Sequence, residues 1–138
     1  MSSAEPVVVR WKGSGLLLEA TTANGRLDLA SALDDPDQGS APMQVLAVAL
    51  GGCTAMDVLS ILKKMRQPVE EFRVEVSGER AEEHPKRYTS LEVAYHVKGD
   101  VDEAKLARAI ELSEARYCSV AATLRPGVTL ASRYVIER

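Results

Sequence analysis

From Gly39 to Met56 the chain carries no charged residue, and from Val45 to Met56 nearly every side chain is apolar or small. The run begins as a helix in water begins. Ser40 is placed to cap it, and Pro42 falls in the first turn, where a missing N–H costs nothing. Lys63, Lys64 and Arg66 close it with the charge that a helix C-terminus favours, and Pro68 stops it. The spacing predicts one helix from about Pro42 to Met65. A helix that is apolar almost all round needs cover on most faces, from a sheet and from another helix or a second subunit. The run approaches the length of a membrane span, but Gln44, Gly51, Gly52 and Asp57 make it a poor one. With 138 residues in all, the expectation is a single domain over residues 1–138 with one substantial core.

The rest of the chain alternates between strand and helix signals. Residues 7–11, VVVRW, read as a strand. GLLLEATTANGRLDLAS reads as a hairpin turning at Asn24-Gly25, and LDDPDQGSAP as a loop. In EEFRVEVSGER, Phe72, Val74 and Val76 point one way and charges the other. YTSLEVAYHVKG alternates likewise through Leu91, Val93, Tyr95 and Val97. Asp100 or Asp102 can cap a following helix whose stripe is Leu106, Ala109, Ile110 and Ser113. Cys118 falls near the first turn of a short further helix, and VTLASRYVIE is a last strand. This order predicts an α+β fold with helices against a mostly antiparallel sheet.

Composition narrows the function. The net charge of −3 with mixed signs and the 4% aromatic content argue against a nucleic-acid partner, which requires a basic face or stacking platforms. The start, MSSAEPVVVR, lacks a basic stretch followed by an apolar core, so a cytoplasmic location is expected, with no membrane partner. No dinucleotide, P-loop or nucleophile-elbow pattern occurs, and no cofactor is expected. His84 and His96 lack the close spacing of a metal site, so no metal is expected either.

The chemistry rests on the two cysteines, Cys53 and Cys118, 65 residues apart. In a reducing compartment they are two buried thiols or a redox pair. Cys53 follows Gly51 and Gly52 in the middle of the apolar helix. There the helix dipole offers a thiolate little, so a cation or a hydrogen-bond donor has to be brought to it. Cys118, at a helix N-terminus, has unpaired N–H groups to favour its thiolate. Either can equally be a small packed hydrophobe.

SAPMQVLAVALGGCTAMDVLSIL, FRVEVSGER…HPKRYTSLEVAYHVKG and IELSEARYCSVAATL together resemble the OsmC/Ohr family of thiol-dependent peroxidases, in particular its OsmC-like branch. The resemblance covers residues 40 to 138, and the N-terminal strands by order only. It implies an intertwined homodimer with a long central helix against a strongly curved sheet. It also implies that Cys53 attacks the O–O bond of a hydroperoxide, that Cys118 resolves the sulfenic acid to a disulfide, and that an external dithiol resets the pair. In the family an Arg lowers the thiol pKa and a Glu after the helix-opening proline holds that Arg. Here Met43 and then Gln44 follow Pro42. Arg26 is the candidate cation, with Arg10 a more remote one. Asp57, one helical turn after Cys53, can accept a hydrogen bond or pair with an Arg. Gly51 and Gly52 would let a sheet or partner chain approach closely, leaving an apolar channel lined by Met43, Val48, Leu50 and Met56 that suits organic hydroperoxides. The rival expectation is a non-catalytic protein on the same scaffold, binding a small apolar molecule or sensing redox state.

Overall fold

The computed structural model describes residues 5–138 as two compact units, an N-terminal one ending at Leu46 and a second from Ala47 to Arg138.

The N-terminal unit is a three-stranded antiparallel sheet, β1 (Val8–Trp11), β2 (Leu17–Thr21) and β3 (Arg26–Ala30), in chain order. The β2–β3 connection is a four-residue loop and not the two-residue turn that Asn24-Gly25 suggests. Thr22 organises it: its Oγ1 accepts from the backbone N–H groups of Asn24 and Gly25, and its own N–H donates to the Gly25 carbonyl. A threonine turn has taken the place of the left-handed pair. Val9, Trp11, Leu16 and Leu33 are exposed within this unit.

Helix α1 (Pro42–Lys64) begins at the boundary between the units. Its head is closed by Gln44, whose Oε1 accepts from Ala41 N–H at 2.8 Å. Ser40, the expected cap, lies one residue too early and instead forms a bridge to Leu29. By length and composition α1 is apolar enough to cross a membrane. In the second unit, however, Leu50, Thr54, Val58 and Leu62 turn inward along one side of it.

The second unit carries strands β4 (Val69–Arg80), β5 (Tyr88–Gly99) and β6 (Thr129–Glu137), with helices α2 (Glu103–Leu112) and α3 (Ser119–Leu124) between β5 and β6. Strand β5 is central, antiparallel to β4 and parallel to β6. The expected α+β fold with mostly antiparallel pairing is found, β5–β6 being the one parallel pair among the described strands; what differs is that these strands form two three-stranded sheets, the second of them mixed. The physical reason is the connection. Parallel neighbours need a long crossover, and the helical segment from Glu103 to Leu124 supplies it. As the middle strand, β5 has no exposed residue, and its buried Leu91, Val93, Tyr95 and Val97 join α1 and α2 residues in one core. Helix α2 is capped by Asp102, whose Oδ2 accepts from Lys105 N–H. Leu106, Ala109 and Ile110 form its buried stripe, as the periodicity predicts.

α1 lies very close to β4. A Cβ on Gly51 would stand 2.8 Å from Val76 Cγ2, whereas one on Gly52 would meet nothing within 4 Å. Gly51 therefore serves the chain's own sheet, and Gly52 looks out on open space.

Candidate active site

Cys53 sits half-buried on α1, packed against the core, with the carboxylate of Asp57 one turn further along the same helix. What meets them comes from the far end of α2. There the α-helix gives way to a π-helical turn, Ser113–Tyr117, closed by a bond from Cys118 N–H to the Ser113 carbonyl at 2.8 Å. Such a turn holds one residue more than an α turn and is often found at functional sites. Arg125 reinforces it by donating to the Glu114 carbonyl at 2.8 Å. Beyond it Cys118 is extended and caps α3, its Sγ accepting from Ala121 N–H at 3.3 Å.

As a result, the Cys53 sulfur, the Cys118 sulfur and an Asp57 carboxylate oxygen all lie within 4.8 Å of one another, and both thiols are free. The hydroxyl of fully buried Ser113 donates to Asp57 Oδ2 at 2.9 Å. A serine in a core stripe has to find such a partner, because an unpaired buried hydroxyl is costly. That is the signal by which the Ser113–Asp57 pair could have been read from sequence.

Burial pushes the Cys118 thiol up to about 11. The Ala121 N–H works against this, while the neighbouring Cys53 and the Asp57 charge add to it. Tyr95, 0% exposed, lies under the same cluster. Its hydroxyl has no hydrogen-bond partner. Thr54 stands near enough to favour the phenolate slightly, but Thr54 Oγ1 spends its own hydrogen on the Leu50 and Gly51 carbonyls. Burial, with the charges of Glu114, Cys118 and Asp57, raises the Tyr95 phenol to about 12. Neither the unpartnered Tyr95 hydroxyl nor the π turn announces itself in the sequence.

The expected site residues of the second unit divide between the two sides of α1. Val48 and Met56 are 67% and 74% exposed on the outer side of α1, while Leu50 is 1% exposed and faces the core, so these three do not share one wall. The reason is helical phase: at about 100° per residue Val48 and Met56 lie about 80° apart, while Leu50 is about 160° from the first and about 120° from the second. Met43 is half-buried in the first turn. Arg26 opens β3 and is exposed, paired through its backbone with Thr21, and Arg10 is exposed on β1 opposite Glu19. His84 is exposed in the β4–β5 connection, and His96 Nε2 lies 3.6 Å from Glu75 Oε2.

A long apolar helix over a mixed sheet, presenting a cysteine to a second cysteine from a helical crossover, defines a class of thiol protein. The model of the OsmC-like protein family matches residues 35–133, and the chain belongs to that family. It is 37% identical over 129 residues to Protein YhfA of Escherichia coli (strain K12), covering 93% of this chain and 95% of that one. A crystal structure of a hypothetical protein from Aquifex aeolicus VF5 superimposes with a TM-score of 0.86 at 33% identity, over 100% of both chains. The organic hydroperoxide resistance protein OhrB of Bacillus subtilis shares the fold at a TM-score of 0.64 and 18% identity, over 94% of this chain and 96% of that one.

Proposed function

We propose that this protein reduces organic hydroperoxides with the Cys53–Cys118 pair. The observation that carries the reading is the approach of the two free sulfurs to within 4.8 Å of each other. The Cys53 thiolate attacks the peroxide's outer oxygen. The O–O bond breaks, the alcohol leaves with a proton, and Cys53 becomes a sulfenic acid. Cys118 then attacks the Cys53 sulfur, water leaves and a disulfide forms. An external dithiol returns both sulfurs to thiols and is itself oxidised.

The division of roles follows from environment. The half-buried thiol is the one a peroxide can reach. The buried thiol, held neutral to high pH, is protected from direct oxidation and has to lose its proton at the moment of resolution. Asp57, held by Ser113, is placed to accept that proton. Arg26 is proposed as the cation that activates Cys53. Val48, Met56 and Met43 would face the apolar part of the substrate, with Leu50 behind them in the core.

The working unit is proposed to be a homodimer. Support comes from the outer side of α1, where Val48, Met56 and Leu59 are exposed around the bare backbone of Gly52, and from the exposed Trp11 and Leu33 of the N-terminal unit. Faces this apolar are normally covered.

The test is consumption of cumene hydroperoxide with excess dithiothreitol. Wild type turns over. Cys53→Ser falls to the rate of buffer and thiol alone, and Cys118→Ser, assayed without dithiol, gives one turnover before Cys53 overoxidises. Equal, slow consumption by wild type and Cys53→Ser would end this reading. It would favour a redox sensor or a binder of small apolar molecules, a role in keeping with the anionic Asp57 beside the sulfurs.

A further inference from the structure

The cluster of Cys53, Asp57 and Cys118 has a second chemistry, one that requires no peroxide. Two sulfurs and a carboxylate oxygen that lie mutually within 4.8 Å are three ligands of the kind a borderline-soft divalent ion takes. Thiolates select against magnesium and calcium, and the carboxylate favours zinc-class ions over copper(I). Ligand atoms on a tetrahedral zinc stand about 3.8 Å apart. The observed limit of 4.8 Å leaves at most about 1 Å to close.

Two further observations point the same way. Asp57 is held as a ligating carboxylate usually is: Ser113 donates to Oδ2 at 2.9 Å, and a carboxylate has further lone pairs to offer an ion. The Tyr95 hydroxyl, on a residue 0% exposed, has no hydrogen-bond partner, and the charges on Cys118 and Asp57 both reach it. Beside Thr54, whose oxygen can accept from it, water on the open fourth position of a three-ligand ion would be a further hydrogen-bond partner for this hydroxyl.

We infer that the reduced protein binds one zinc-class divalent ion per chain through Cys53 Sγ, Cys118 Sγ and an Asp57 oxygen, with the fourth position open. The two thiols release two protons as they become thiolates, the ion keeps its charge, and no electron moves. Because only reduced sulfurs can bind, metal and peroxide compete for the same pair.

The experiment uses full-length reduced protein under argon, titrated with Co²⁺ as the spectroscopic probe and then with Zn²⁺ against a chromophoric chelator. Expected are one equivalent of cobalt per chain, a near-ultraviolet thiolate-to-cobalt band and the intense visible bands of tetrahedral cobalt. Cys118→Ser should cut the thiolate band by about half, and Asp57→Asn should weaken zinc binding at least about tenfold. Since a core variant can fail to fold, wild type with Cys53 blocked by iodoacetamide is the second arm and should lose binding. Absence of a thiolate band in wild type, or binding unchanged by both Cys118→Ser and the alkylated arm, overturns the inference. Metal binding without peroxide turnover removes only the peroxidase reading, and turnover without metal binding removes only this one.

Discussion

The two sides of α1 make opposite use of the same kind of residue. On one side Leu50, Thr54, Val58 and Leu62 are sealed in the core, and Gly51 lets the helix settle onto Val76 of β4. On the other, Val48, Met56 and Leu59 stand open around Gly52. The sequence is about equally apolar on both sides, which is why it predicts a helix buried on most faces. Among the described residues, Leu50, Thr54, Val58 and Leu62 are covered, while Val48, Met56 and Leu59 are exposed. The difference leaves α1 with one side against its own sheet and an apolar side open, which is where the proposed second chain would pack. Cys53 and Asp57 lie where the sides meet, half-buried. A thiol there is held by the core and reachable from outside it.

The sharpest way to break this contrast is to truncate each side. Leu50→Ala removes core packing, and urea unfolding should show a loss of about 2–5 kcal/mol. Val48→Lys should leave the subunit fold nearly unchanged, yet convert the proposed dimer to monomer in sedimentation velocity. If both variants destabilise equally, or Val48→Lys leaves the wild-type assembly state intact, the sides are not distinct.

The thiols carry the contrast into chemistry. With Cys118 raised from 9.0 to about 11, its thiolate fraction at pH 8 is about 100-fold lower than that of an ordinary thiol. Cys118 is also the more buried of the two, so iodoacetamide at pH 8 should label half-buried Cys53 well before it, as peptide mass spectrometry would show. Comparable rates would remove the distinction. The sign for stability comes from linkage. The unfolded chain ionises Cys118 near 9 and the folded one only near 11, so its contribution is full below pH 9 and is lost as pH rises from about 9 to about 11. A thermal-melt series over that range, compared with Cys118→Ala, isolates it.

The smallest effect is expected from the glycines. Alanine gains about 1 kcal/mol over glycine in a helix interior. At Gly52, among the described residues, nothing within 4 Å of the new Cβ opposes that gain. At Gly51 the new Cβ meets Val76 Cγ2 at 2.8 Å, and overpacking costs about 1–3 kcal/mol. Gly51→Ala should thus lower the urea midpoint relative to Gly52→Ala. Only the Gly52 variant should change how the midpoint depends on protein concentration, because a second chain is proposed to pack there.

Much of this architecture is legible in the chain. α1, the long strand pair β4–β5, the Asp102-capped α2 and the last strand all arise from periodicity and punctuation. The parallel pairing of β6 does not, because alternation looks the same in either direction and only the intervening helices reveal the crossover. At the site, the candidates Cys53, Asp57 and Cys118 are readable one by one. Their convergence is not, since it depends on a wide turn whose five residues, SEARY, look like ordinary solvated helix. The unpartnered Tyr95 hydroxyl is equally silent: on an alternating strand it is simply a core position.

That wide turn makes chain length itself a variable of the chemistry. A π turn is an α-helix with one residue to spare, and Cys118 comes directly after it. Removing one residue between Glu114 and Arg116 would return the segment to α-helical spacing and rotate Cys118 by about 100° about the helix axis, with the packing of Leu106, Ala109 and Ile110 upstream untouched. Such a chain would keep most of its fold and lose the meeting of its two sulfurs. The pair is tuned to a tolerance of less than one amino acid, and its function is more sensitive to a deletion there than to most substitutions.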